Sequence, residues 1–210
     1  MSQADKERWD QRYLGGAYST RLSPSVLVEK WAPLVLADSA GSLRAFDVAC
    51  GAGRNTLYLS KLGFEVVGAD ISTAALERAA AQAQSQSLSA EWCQLDLDET
   101  LPIAPPLQGE FDFIVLVRYA DLELVESLIK RLAPGGVLLV EAHLGGPLFT
   151  ESTDGEHSVG GPGSERFRLP PGALAAACAG LVGVFENESL VTDPDGTVMA
   201  LAQFVGRRPG

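Results

Sequence analysis

Cysteine is scarce in this chain, three in 210 residues, and histidine scarcer, with two. Cys50, Cys93 and Cys178 stand far apart with no C-x-x-C pair, which argues against a disulfide framework or a metal site and suits a reducing, cytoplasmic setting. Basic residues are also in the minority: 16 Lys and Arg against 27 Asp and Glu leave a net charge of −11. Nucleic acid is therefore not an expected partner, because phosphate binding needs a basic face. No apolar run reaches the roughly 20 residues that cross a bilayer, so no membrane partner is expected. The opening MSQADKERWDQRY is charged, lacks an apolar centre and does not read as a signal peptide. What is present is 46% hydrophobic and 20% charged residues, enough to bury one core. Without repeats or a composition break, residues 1–210 read as a single domain.

Periodicity predicts helices over 4–13 and 24–36, the second with Ser23 as its N-cap and Pro24 in its first turn. A strand over 42–48, a helix over 55–62 closed by Gly63 and a strand over 65–69 follow. Ser72 is expected to cap the next helix, and strands are expected at 90–95 and 111–117. A helix over 121–132 leads through a Pro134-Gly135-Gly136 turn to a strand at 137–142. Residues 143–171 form a long glycine- and proline-spotted stretch, expected to be a lid loop. A short helix at 172–179 and two strands, 181–191 and 198–206, finish the chain. The Asp193-Pro194-Asp195-Gly196 turn between those strands is too short for a parallel crossover. The pattern predicts an α/β domain with a doubly wound, seven-stranded sheet, mostly parallel with an antiparallel last strand. Residues 1–36 are expected to form a helical cap, whose Trp9, Arg12 and Tyr13 either close over a ligand or simply pack on the domain.

The informative stretch is residues 46–72, FDVACGAGRNTLYLSKLGFEVVGADIS. An apolar strand enters a glycine turn, a helix follows, and a second strand ends on an acid. Gly51 and Gly53 omit Cβ atoms where the backbone turns tightly against a ligand. The helix start near Arg54 offers unpaired N–H groups to an anion. Asp70 lies 19 residues after Gly51, the place of an acid that holds ribose hydroxyls. A dinucleotide turn, G-x-G-x-x-G, would want Gly or Ala where Thr56 stands, and Asp47 just before the turn would repel a pyrophosphate but welcome an ammonium.

FDVACGAG is similar to the D-x-G-x-G-x-G signature of class I S-adenosylmethionine-dependent methyltransferases, departing from it by Ala49. GAGRNTLYLSKLGFEV resembles the matching stretch of the tellurite-resistance-type and thiopurine-like group, and WDQRY resembles that group's opening. The resemblance implies a Rossmann-like fold, S-adenosylmethionine as cofactor, S-adenosylhomocysteine as product and a small-molecule acceptor. It also implies that Asp47 sits near the ammonium, that the turn of Ala49, Cys50, Gly51 and Gly53 faces the methionine end, and that Asn55 belongs to the cofactor-binding set. Asp70 would hold the ribose, Ile71 would lie along the adenine, and Asp96 and Leu97 would meet its edge. Val117 and Arg118 would border the methyl group and the acceptor. A thiolate or chalcogen oxyanion needs little help from a base. The possible bases are few, namely His143, Glu141 and His157, and that scarcity leans toward a small, soft or anionic acceptor, with His143 and Arg118 as the catalytic candidates. Two readings stay open beside an active enzyme: a non-catalytic S-adenosylmethionine-binding protein and an NAD(P)-binding protein of the same sheet.

Overall fold

A computed structural model describes residues 3–38, 41–99, 101, 104–146 and 159–210. Helices α1 (Gln3–Leu14) and α2 (Val26–Ala37) precede β1 (Arg44–Val48), α3 (Arg54–Leu62), β2 (Glu65–Asp70), α4 (Thr73–Ser85) and β3 (Glu91–Gln94). Then come β4 (Phe111–Val117), α5 (Leu122–Ile129), β5 (Leu132–His143), a short 3-10 helix (Glu165–Phe167), α6 (Ala173–Ala177), β6 (Val182–Thr192) and β7 (Val198–Arg207). The strands form one sheet in the order β3-β2-β1-β4-β5-β7-β6. β1 to β5 run parallel, and β7 lies antiparallel between β5 and β6. The doubly wound sheet with one reversed strand is therefore the fold read from the sequence. Its winding reverses between β1 and β4, the place where open α/β sheets bind ligands beyond the carboxyl ends of their strands.

Strand alternation divides the core. Phe46 and Val48 of β1 join Ile114, Leu116 and Leu138 against α5 and α6. Ala45, Phe113, Val115 and Leu139 pack on the other face with α2 and α3. Asp47 shares that second face, beneath the start of α3, because its neighbours in β1 take the first.

Several element boundaries differ from expectation, three of them for a reason visible in the contacts. The N-cap of α2 is Ser25 and not Ser23: its hydroxyl accepts from Val28 N, and its own N–H donates to Asn55 Oδ1 at 3.0 Å. Pro33, inside α2, cannot donate to Glu29 O, and the Tyr58 hydroxyl reaches that carbonyl at 3.4 Å. Helix α5 ends at Ile129, since Leu132 already pairs with Phe111 in β5. Pro134-Gly135-Gly136 is thus an irregularity inside β5 and not a turn ahead of it. A Cβ at Gly136 would meet Phe111 O at 2.9 Å and Ala133 O at 2.8 Å, so only glycine lets the strand rejoin its ladder there.

Candidate functional site

A cavity of about 850 Å³ opens at the carboxyl ends of β1, β2, β4 and β5. Its floor is the glycine turn, which left-handed backbone shapes. Ala49 sits at φ 55, Gly51 at φ 54 and Gly53 at φ 81. Alanine at such a φ costs about 1 kcal/mol more than glycine, so Ala49 carries strain that a glycine there would not. Gly51 is tightly constrained: a Cβ there would lie 2.3 Å from the Tyr13 hydroxyl. Gly53 has a different role from the one expected. It lies outside the cavity wall, and a Cβ on it would meet Ala79 and the Trp92 ring at 2.9 Å, so it lets α3 pack closely on α4 and β3.

Asp70, at the end of β2, lines the cavity with both carboxylate oxygens already oriented. Oδ2 accepts from Gly51 N at 2.8 Å and Oδ1 from Ser72 N at 2.9 Å. Burial pushes its carboxyl above the ordinary value against the pull of those two N–H groups. Ala49, Cys50, Gly51, Asn55 and Ile71 share this wall, and Leu97, Val117, Arg118 and His143 extend it across the sheet. The Cys50 thiol is raised well above its ordinary value by burial and by the carboxylates of Asp47 and Asp70, so it is a packing group and not a nucleophile.

Two expected contacts are absent from the wall. Asp47, expected near an ammonium group, is 1% exposed and turned under α3, where Oδ2 accepts from Thr56 Oγ1 at 2.6 Å. Its Oδ1 has no partner among the described residues, and burial raises its pKa to about 7. Asp96 turns Oδ1 back to the N–H of Asp98, and Asp98 lines the cavity in its place.

The catalytic candidates have more defined settings. Arg118, at φ 67, follows β4 with its Nη2 2.8 Å from Asp193 Oδ1 and its Nε 3.0 Å from Glu141 Oε1. Glu141 is sealed at 1% exposure and also accepts from Gln203 Nε2 at 2.6 Å, which removes it as a base. His143 lies at the end of β5, and burial together with the positive charges of Arg118, Arg168 and Arg21 lowers its pKa to about 3. At neutral pH it is an uncharged, weak base, and its buried Nδ1 has no partner among the described residues. Burial and these charges make the imidazole poorly suited to the general-base role expected for His143. His157 and residues 147–158 of the expected lid loop lie outside the described residues. The described part of that loop does reach the cavity, at Gly161 to Ser164 and at Phe167.

Helix α1 and the loop after it line the other side, whereas α2, expected to share in a helical cap over residues 1–36, packs on α3 and β5 away from the cavity. Trp9, Arg12 and Tyr13 of α1 all face the cavity, and Tyr18 and Arg21 from the following loop join them. The rings form a run, with Trp9 and Tyr13 centroids 6.4 Å apart and Tyr13 and Tyr18 5.8 Å apart. Burial and the Asp70 charge raise the Tyr13 phenol, so it stays protonated. Tyr18, Arg21, Arg54, Asp98 and Met199 are wall residues the sequence reading did not single out. Arg54 was legible as the first residue of α3. Met199 was not, since only the β5–β7 register brings it there.

No group of three or more His, Cys, Asp or Glu among the described residues is arranged to hold a metal ion. No described helix is long and apolar enough to cross a membrane.

Comparison with known proteins agrees with this geometry. Residues 45–136 match the family described as methyltransferase domain. YqeM of Bacillus subtilis is 30% identical over 124 residues, 55% of this chain and 48% of that one. The ubiquinone biosynthesis O-methyltransferase of Histophilus somni is 32% identical over 101 residues, 45% of this chain and 42% of that one. The chain thus spans about half the length of the curated relatives it matches. The crystal structure of TehB from Haemophilus influenzae superposes with a TM-score of 0.65 at 21% identity, covering 86% of this chain and 61% of that one. The N-methyltransferase NodS from Bradyrhizobium japonicum, solved with S-adenosylhomocysteine, gives a TM-score of 0.61 at 18% identity over 98% of both chains. Residues 45–136 match the methyltransferase-domain family, and the chain has the fold of the class I S-adenosylmethionine-dependent methyltransferases, with TehB among its structural likenesses.

Proposed function

We propose that this chain is an S-adenosylmethionine-dependent methyltransferase that acts on a small molecule, with a soft or anionic acceptor such as a thiolate or a chalcogen oxyanion. The supporting observation is the cavity itself. It carries an oriented ribose-type acid, Asp70, and, across the sheet, a histidine held neutral by burial and by the surrounding arginines. Its volume, about 850 Å³, is near the top of the range for small-molecule sites and has room for a cofactor and a small acceptor. S-adenosylmethionine supplies an activated methyl group when bound. Asp70 would take the ribose hydroxyls, Ile71 and Leu97 would line the adenine, and the turn from Ala49 to Gly51 would carry the methionine end.

The remaining work falls to the chain's own side chains. Transfer from a sulfonium is an in-line displacement that needs alignment and exclusion of water. Helix α1 covers the cavity with Trp9 and Tyr13, and Val117 and Arg118 border the reacting end. With His143 weak and Glu141 sealed, an acceptor already nucleophilic at neutral pH suits this site, whereas an alcohol would need a base.

The test is formation of S-adenosylhomocysteine from S-adenosylmethionine across thiols, selenite, tellurite and small amines. Turnover with a thiol or an oxyanion is the expected outcome. Turnover confined to amines would refute the acceptor class, and none with any acceptor would refute the transfer reading.

A further inference from the structure

Gly51 leaves space by lacking a side chain, and Tyr13 of α1 fills it. A Cβ at Gly51 would overlap the Tyr13 hydroxyl and come within 3.4 Å of the ring carbon that carries it. Helix α1 thus sets a phenol on the floor of the cavity, against the backbone of the glycine turn. The four tyrosines of the chain differ in what their hydroxyls do. Tyr58 donates to Glu29 O at 3.4 Å, Tyr119 donates to Asp98 at 3.2 Å, and Tyr18 accepts from Arg12 Nη2 at 3.1 Å. The Tyr13 hydroxyl has no hydrogen-bond partner among the described residues.

A hydroxyl withdrawn from bulk water and left without a partner is unfavourable, so its place suits a polar group of a ligand. Burial and the Asp70 charge keep this phenol protonated, which makes it a donor without an acceptor. Few groups of the cofactor suit it. An ammonium or a sulfonium accepts nothing, and the ribose hydroxyls are neutral and would go to Asp70. The carboxylate of the methionine end is a charged acceptor, which draws a donor more strongly than a neutral hydroxyl does. That end is the one the turn from Ala49 to Gly51 would carry, and the turn is where Tyr13 sits.

We propose that Tyr13 is a cofactor-binding residue whose hydroxyl donates to the carboxylate of the bound cofactor, so that the cofactor draws α1 shut. The proposal rests on the methyl-transfer reading above and gives its cofactor a binding residue from outside the turn and β2. The docking of α1 already runs beside the ribose-type acid. Ser72 N–H donates to Asp70 Oδ1 at 2.9 Å, and the Ser72 hydroxyl donates to Asp10 Oδ1 at 2.7 Å. One residue therefore holds both the acid and the helix. A bond from Tyr13 to the cofactor adds another link, and the coupling is reciprocal: bound cofactor holds α1 down, and docked α1 holds the cofactor.

Titration calorimetry of the full chain and of Tyr13→Phe, with S-adenosylhomocysteine and with methylthioadenosine, tests this without needing turnover. The second probe keeps the nucleoside and lacks the amino-acid end, and the variant keeps the ring and loses only the hydroxyl. Tyr13→Phe is expected to bind S-adenosylhomocysteine about tenfold more weakly, the scale of one hydrogen bond to a charged acceptor, with methylthioadenosine affinity unchanged. Saturating S-adenosylhomocysteine is also expected to slow hydrogen–deuterium exchange of the α1 amides about tenfold in the wild type and hardly at all in Tyr13→Phe. Unchanged S-adenosylhomocysteine affinity in the variant, an equal loss with both probes, or the same slowing of α1 in both proteins would overturn the proposal. Absence of S-adenosylhomocysteine binding to the wild type would refute the cofactor reading itself, and this assignment with it.

Discussion

Asp10→Ala should release the N-terminal cap from the cavity while leaving the sheet intact. Helix α1 has no buried residue, so it does not dock by burying an apolar stripe. Polar ties hold it. Asp10 Oδ1 accepts from Ser72 Oγ at 2.7 Å and from Ala74 N at 3.0 Å, and Lys6 Nζ lies 2.7 Å from Oδ2. Ala74 is in the first turn of α4, where N–H groups lack helical acceptors and the helix dipole favours an anion. A second tie comes from Arg78, which donates to the carbonyls of Ala17 at 3.1 Å and Tyr18 at 3.4 Å. Discounted for solvent, the two bonds to Asp10 contribute about 1 kcal/mol each, and losing both shifts the docking equilibrium by about 30-fold. Ser72 still caps α4 through Ala75 N, so that helix should persist.

Hydrogen–deuterium exchange reads the difference. The amides of α1 should exchange about 30-fold faster in Asp10→Ala than in the wild type, with β1 and β4 unchanged, and Asp10→Asn should fall between. Burial opposes ionisation of Asp10, but its bonds with Lys6, Ala74 and Ser72 outweigh that and hold the carboxyl below its ordinary 3.8. With the folded value depressed, its contribution is complete above 3.8 and is lost as pH falls through the lower folded value. Docking should therefore be full at neutral pH. Unchanged α1 exchange in Asp10→Ala would refute the polar-tie account.

Two other variants test the buried charges. Asp193→Asn removes the 3% exposed partner of Arg118, and breaking such a buried pair should cost about 3 kcal/mol, the lower end of its range because Glu141 remains. By calorimetry this should lower the thermal midpoint by about 6–12 °C, and a change under about 2 °C would contradict it. Asp47 has a folded pKa raised to about 7 from 3.8, so its contribution is complete below 3.8 and is lost as pH rises through 7. Asp47→Asn should consequently raise the thermal midpoint relative to the wild type more at pH 8 than at pH 5, and equal shifts at the two pH values would contradict the burial argument.

Local signals in the sequence carried much of this fold. Strand β4 was legible because seven apolar-rich residues in a row suit a strand covered on both faces, and Gly63 ended α3 by the left-handed conformation that glycine allows. The turn and Asp70 were legible through their spacing. The direction of Asp47 was readable in principle, since strand alternation sets it opposite Phe46 and Val48, toward α3. The settings of Arg118 and His143 were not legible. Arg118 meets Asp193 across 75 residues of chain, a pairing that exists only once β7 inserts between β5 and β6. The same insertion brings Met199 to the wall, and the Arg21–Asp195 pair ties the loop after α1 to the β6–β7 turn. Those contacts depend on sheet order, to which local spacing is blind.

The central claim is that the turn after β1 and the acid ending β2 hold S-adenosylmethionine. Titration calorimetry with S-adenosylhomocysteine, with NAD as the comparison, tests it on the wild type and on Asp70→Ala. The account predicts binding of S-adenosylhomocysteine, no binding of NAD, and about 100-fold weaker S-adenosylhomocysteine affinity in Asp70→Ala, the scale of two hydrogen bonds to a charged acceptor. Binding of NAD without S-adenosylhomocysteine, or unchanged affinity in Asp70→Ala, would contradict it.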